Sequence, residues 1–79
     1  MPQKFELILS DTLPFVNLLK FKNEMIHLKP GDLLEVRLSD EDTVNDLEKI
    51  VNRSEDRIAE KIKEGDLIKI SILKGNNTH

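Results

Sequence analysis

Leu18 to Leu38, LLKFKNEMIHLKPGDLLEVRL, is the stretch whose reading decides the fold. Leu18, Phe21, Met25 and Leu28 recur at spacings of three, four and three, the repeat of one helix face. Leu19, Ile26 and Val16 widen that stripe, while Lys20, Lys22, Asn23, Glu24 and His27 supply most of the polar side. The segment Lys29-Pro30-Gly31-Asp32 ends the helix. Pro30 cannot continue it and biases Lys29 away from helical geometry, and Gly31 permits the turn. From Leu33 to Leu38 the pattern changes to alternation, with Leu34, Val36 and Leu38 on one face and Glu35 and Arg37 on the other. A helix over about 15–28 and a strand over 33–38 are therefore predicted.

The flanks complete a small sheet. Lys4 to Ser10 alternates, with Phe5, Leu7 and Leu9 on a core face and Glu6, Ile8 and Ser10 opposite; partial cover is expected for Ile8. Asp11 to Pro14 break the pattern. Pro14 suits the first helical turn, and Asp11 or Thr12 can cap it. Ser39-Asp40-Glu41-Asp42 reads as an acidic loop. Thr43-Val44-Asn45-Asp46 then reads as a capping box, with Thr43 as N-cap, before a helix carrying Val44, Leu47, Ile50 and Val51 and ending near Arg53. Arg57 to Ile62 is a strand with Ile58 and Ile62 on one face. Lys63 to Asp66 is a hairpin loop, and Leu67 to Leu73 the last strand, with Ile68, Ile70 and Ile72 inward. Gly75 to His79 reads as a frayed polar tail.

The order is β-α-β-α-β-β. Clean alternation leaves one sheet face to solvent, so both helices pack on the other. The expected fold is a two-layer α/β (α+β) sandwich: a four-stranded mixed sheet with two helices on one face and the first two strands parallel. The 79 residues make one domain over 1–79, with an ordered core from about 4 to 74.

Composition narrows the function. A chain of this size buries only roughly 60–65% of its unfolded surface, which leaves a thin core and no room for a cofactor cavity. There is no cysteine, hence no disulfide, thiolate nucleophile or zinc–sulfur site. The N-terminus lacks a basic region followed by a long apolar run, and no segment approaches the about 18 apolar residues of a membrane span. A soluble cytoplasmic protein without membrane attachment is expected. Net charge is −3 with 34% charged residues of mixed sign, there is no Trp or Tyr, and the three Phe lie in the first 21 residues. That is a solvating surface rather than a nucleic-acid-binding one.

The stretch LKPGDLLEVRLSDEDTVNDL resembles the TusA-like (SirA-like) sulfur-carrier family, and the resemblance runs from about residue 5 to residue 74. It carries the family's helix-end L-K-P-G-D, its L-x-V strand, its acidic loop and its second-helix start. Pro30, Gly31, Asp32, Thr43 and Asp46 fall on the fold-defining positions. The family's functional motif is a Cys-Pro-x-Pro at the start of the first helix, whose thiol accepts a persulfide sulfur. Counted back from Pro30 without gaps, the cysteine falls on Pro14 and the first proline on Phe15. Shifted by one, the cysteine falls on Leu13 and Pro14 remains the proline. Neither alignment supplies a thiol, so the resemblance implies the fold without the family's chemistry.

Candidate sites follow from the remaining residues. Leu13, Pro14 and Phe15 occupy the degenerate cysteine loop: they either turn outward as a hydrophobic anchor for another protein or turn inward and plug the core. Lys20 and Lys22, with His27, form either a docking patch or a solubilising face. Asp40, Glu41, Asp42 and Asp46 either gather a hard cation or favour the following helix N-terminus. Ser10 and Thr12 have no base partner, so no catalytic residue is assigned. The expected function is that of a non-catalytic, cysteine-less member of this fold family, without cofactor or resident metal. It would bind another protein, with a sulfur-relay component as one candidate, through Leu13 to Phe15 and the exposed side of the first helix. The alternative is a small-ligand or metal-sensing regulatory protein using the acidic loop. The oligomeric state is left open.

Overall fold

In the computed structural model, which describes residues 2–76, the elements follow the expected order: β1 (Lys4–Leu9), α1 (Pro14–His27), β2 (Leu33–Leu38), α2 (Glu41–Asn52), β3 (Arg57–Glu64) and β4 (Leu67–Leu73). The strands form one mixed sheet in the order β1-β2-β4-β3. β1 and β2 are parallel, and the β2–β4 and β3–β4 pairs are antiparallel. The fold is a two-layer α+β sandwich, as the sequence predicts. No helix among the described residues is long and apolar enough to cross a membrane.

Alternation places the core. Leu34, Val36 and Leu38 of β2 lie opposite Ile72, Ile70 and Ile68 of β4, and all but the half-buried Ile68 are buried. Phe21, Met25 and Leu28 come down from α1 and its C-terminal exit, and Val44, Leu47 and Val51 from α2. Each fully buried side chain of this kind stabilises the fold by about 1.5–3 kcal/mol relative to an exposed one.

Several local expectations are corrected. Ile8 was expected to be partly covered and stands 64% exposed, because it lies on the solvated face of an edge strand. Leu19 and Ile26, expected to widen the core stripe of α1, are exposed instead; the helix buries Asn17, Phe21 and Met25. The N-cap of α2 is Asp40 and not Thr43. Asp40 accepts from the Asp42 amide (3.1 Å) and from the Thr43 hydroxyl (2.6 Å). Thr43 therefore sits buried under the first turn, and Asp46, cast as its capping-box partner, is an exposed residue a turn further on. An aspartate cap with Glu41 and Asp42 behind it suits the positive end of the helix, which accounts for the earlier start.

The expectation for β3 fails in an instructive way. Ile58 pairs with Ile72 and Glu60 with Ser71, so Ala59 is an extra residue, a β-bulge. The bulge reverses the facing of everything after it. Ile58 points to the core, but Ile62, opposite Lys69, points to the outer face. Lys61, opposite Ile70, takes the core side and reaches Glu48 of α2 at 3.2 Å. The hairpin also closes later than expected: β3 runs to Glu64, and the turn is Gly65-Asp66 alone. Of these two residues Gly65 alone has positive φ, at 61°, the pattern of a II′ turn.

Asp32 ties the ends of three elements together. Its carboxylate accepts from the Gln3 amide before β1 and from the Lys29 amide after α1, both at 2.9 Å. Its carbonyl accepts from Lys74 after β4 at 2.8 Å, and Gly31 returns an amide to the Lys74 carbonyl at 2.9 Å. Gly31 holds φ 93°, a geometry side chains resist. The backbone amide of Lys29, then that of Gln3, holds the Asp32 carboxyl below the ordinary carboxylate value. Beyond β4 the chain is still anchored: the Gly75 amide donates to Asp56 at 2.8 Å, and a Cβ at Gly75 would collide with the Glu55 carbonyl. The expected fraying of 77–79, His79 included, lies outside the described residues.

Candidate docking surface

The loop that leads into α1 is held by a residue the sequence reading passed over. Asn17 is buried, on the same helical stripe as Phe21 and Met25. Its side-chain oxygen accepts from the Asp11 amide (3.0 Å) and its amide donates to the Asp11 carbonyl (3.1 Å). The Asp11 carboxylate in turn accepts from the Leu13 amide at 3.0 Å. Leu13 is the N-cap, extended at φ −97° and ψ 114°, with no side-chain cap. Pro14 enforces that geometry on the residue before it. A lone polar residue inside an apolar stripe was the available signal for Asn17. Asp11 thus acts on the loop before the helix, and neither it nor Thr12 is the N-cap.

This clamp presents the tip outward. Leu13 is 55% exposed and Phe15 62%, and Pro14 is exposed between them. Leu19 at 51% and Ile26 at 72% continue the patch. Phe15, Leu19, Lys22 and Ile26 stand at i, i+4, i+7 and i+11, so they form one stripe along the helix. Lys22 lies within that stripe and is exposed. Lys20 is turned to the other flank and approaches Asp11 at 3.8 Å. His27, exposed in the last turn, shares that flank: with Phe5, Lys29 and Asp32 it lines a shallow recess of about 350 Å³.

The acidic segment is built into the start of α2. Asp40 is the cap, and Glu41 and Asp42 occupy the first turn. They border an open groove of about 500 Å³ beside the β3–β4 hairpin. Among the described residues, no group of three or more His, Asp or Glu side chains is placed to hold a metal ion.

The outer sheet face carries a charge network that appears only once the register is known. Arg37 and Lys69 are directly opposite across β2 and β4, a like-charge pairing that destabilises a ladder unless offset. Here carboxylates surround both. Arg37 bonds Glu6 at 3.0 Å and Glu64 at 3.2 Å and lies 3.8 Å from Glu35. Lys69 lies within 3.9 Å of Glu35, Glu60 and Glu64. The hydrogen bond to Glu64, then that to Glu6, pushes the Arg37 guanidinium above its ordinary value. Glu35 is nearly covered and also meets Lys4 at 3.5 Å. Among the described residues no buried side-chain nitrogen or oxygen lacks a partner.

The molecule these features define is a two-layer α+β sandwich with a charge-matched sheet face and an apolar stripe on its first helix. Comparison of the chain with protein-family models, curated proteins and solved structures finds no match.

Proposed function

We propose that the chain is a non-catalytic protein-binding module, a cysteine-less relative of the sulfur-carrier fold, that docks another protein through Leu13, Pro14, Phe15, Leu19 and Ile26. The observation that carries this reading is the set of exposed apolar side chains at the N-cap and along one side of α1, with Lys22 between Leu19 and Ile26. Aromatic and aliphatic side chains exposed together are the usual anchors of an interface. Lys22, exposed inside the stripe, favours a partner whose apolar surface carries an acidic group; Lys20 lies on the other flank, near Asp11. The resemblance at Pro30 to Asp32 supports a partner in a sulfur relay; the position of the missing thiol, at Leu13 or Pro14, would then serve as part of the contact.

The test is affinity capture from cell extract with the native chain, with Phe15→Ala, with Ile26→Asp, and with Ile62→Ser on the outer sheet face as control. Partners held by the native chain and the control but lost by the first two variants support the proposal. Equal recovery by all four chains removes α1 from the contact.

A further inference from the structure

The sheet has two edges, and they are finished differently. β3 carries several devices that keep an edge from pairing with another chain. It has the bulge at Ala59, charges along its length, and two lysines, Lys61 and Lys63, on its core side. β1 has no bulge, its register with β2 running unbroken from Lys4 to Leu9. Its core-side residues, Phe5, Leu7 and Leu9, are all apolar. Phe5 and Ile8 are exposed, and among the described residues no strand other than β2 pairs with β1.

The backbone groups of that edge can be assigned. The Leu33 amide donates to the Gln3 carbonyl at 2.9 Å. In a parallel pair, alternate residues turn both backbone groups toward the neighbour. Odd-numbered residues of β1 therefore face β2, and Lys4, Glu6 and Ile8 turn their donors and acceptors away from the sheet.

The same residues are self-complementary. Lys4 and Glu6 share the outer face on either side of Phe5. A two-fold axis through Phe5 sets β1 antiparallel to β1 of a second copy. Each Lys4 then stands opposite the other copy's Glu6, and the two exposed Phe5 rings meet on the core side. An axis through Glu6 would instead oppose the two glutamates, and an axis through Leu7 would set Glu6 against Ile8. Opposite charges directly across a ladder stabilise it and like charges destabilise it. We propose that the chain forms a homodimer by antiparallel β1–β1 pairing centred on Phe5, which joins the two sheets into one.

A chain without cysteine allows this register to be read by single-cysteine cross-linking. At the proposed axis the two residues at position 5 form a non-hydrogen-bonded pair, with Cα atoms about 4.5 Å apart, within reach of a disulfide. The two residues at position 7 are staggered by about 13 Å and are out of reach. Under mild oxidation Phe5→Cys should give a covalent dimer, and Leu7→Cys should form no cross-link. Sedimentation of the native chain should show a mass rising toward twice that of the monomer with concentration. Glu6→Pro removes an amide that faces away from the sheet, so it should abolish the dimer while leaving the circular dichroism unchanged. Should that variant not fold, Lys4→Glu, which opposes two glutamates, should lower association by about tenfold or more. Monomeric sedimentation of the native chain up to about 1 mM, or cross-linking at position 7 equal to that at position 5, overturns the proposal.

Discussion

Helix α2 starts on the Asp40 side chain, carries Glu41 and Asp42 in its first turn, and buries Val44, Leu47 and Val51. Helix α1 starts on Leu13 with no side-chain cap, has no acid in its first turn, buries Asn17, and leaves Phe15, Leu19 and Ile26 in solvent. Both helices lie on the same sheet face and feed the same core. In α2 the capping, the charge placement and the apolar stripe all agree with one packed arrangement. In α1 each of these rules is broken, and the residues that break them lie together at one end and along one side. Local conflicts that folding does not require are where function is expected. The difference assigns α2 to the scaffold and α1 to both scaffold and surface.

The largest effect that tests this division is in the shared core. Leu47 of α2 and Phe21 of α1 are almost fully buried. Leu47→Ala should cost about 2–5 kcal/mol and Phe21→Ala about 3–5 kcal/mol in denaturant unfolding. A much smaller loss at Phe21 would mean that α1 is only loosely seated. Next come the two ways of starting a helix. Asn17→Ala leaves the Asp11 amide and carbonyl without their partner and should cost about 1–3 kcal/mol, against about 0.5–2 kcal/mol for Asp40→Ala. If Asn17→Ala is the milder of the two, α1 does not depend on the Asp11 clamp.

The far end of α1 sharpens the same contrast, because it too is fastened from outside the helix. Asp32 accepts the Lys29 amide just after α1 and the Gln3 amide before β1. Those bonds, Lys29 first, lower its carboxyl below the ordinary value. The folded chain therefore binds that proton less readily than the unfolded chain. The stabilisation is present above the unfolded carboxylate's pKa and is lost as pH falls through the lower, folded value. Urea midpoints across an acid series should fall over that window in the native chain. Asp32→Asn keeps at most one of the two acceptors, so its midpoint should be lower at neutral pH and its acid limb flatter. Equal acid limbs in the two chains would put the titration elsewhere.

How much of this was legible follows from where the pattern was periodic. β2 and β4 alternate without interruption, and their facing, their pairing and the core they build could be read directly. In β3 the even spacing of Ile58 and Ile62 implies one face, but the extra residue at Ala59 is imposed by pairing with Ile72 and Ser71, which no single strand reveals. At α2 the signature of a cap followed three residues later by a partner occurs twice, at Asp40–Thr43 and at Thr43–Asp46. Only packing shows that Thr43 is covered. In α1 the apolar residues span more of the helix than the sheet can cover. Which part is buried depends on how the helix sits, and a polar Asn17 on the buried side with an apolar Leu19 on the exposed side runs against the pattern that periodicity alone selects. The ion network around Arg37 and Lys69 needed the β2–β4 register before its members could be seen as neighbours.

The smallest expected effect is the most discriminating. If Leu19 and Ile26 face solvent, Leu19→Ser and Ile26→Ser should each change stability by no more than about 0.5 kcal/mol, the range of ordinary surface substitutions. Leu13→Ser should go the other way. It places a hydroxyl at the N-cap, where the native side chain supplies none, and should gain about 0.5–1 kcal/mol. A chain selected only for folding has no reason to keep leucine at that position. Retaining it at the tip of an exposed patch makes sense if the side chain is needed for contact, a trade of stability for activity met at many functional sites. The same three variants should therefore fold as well as the native chain or better, and bind partner less. A loss of 2 kcal/mol or more at Leu19 or Ile26, of the size that follows core truncation, would return both residues to the core and dissolve the distinction between the two helices.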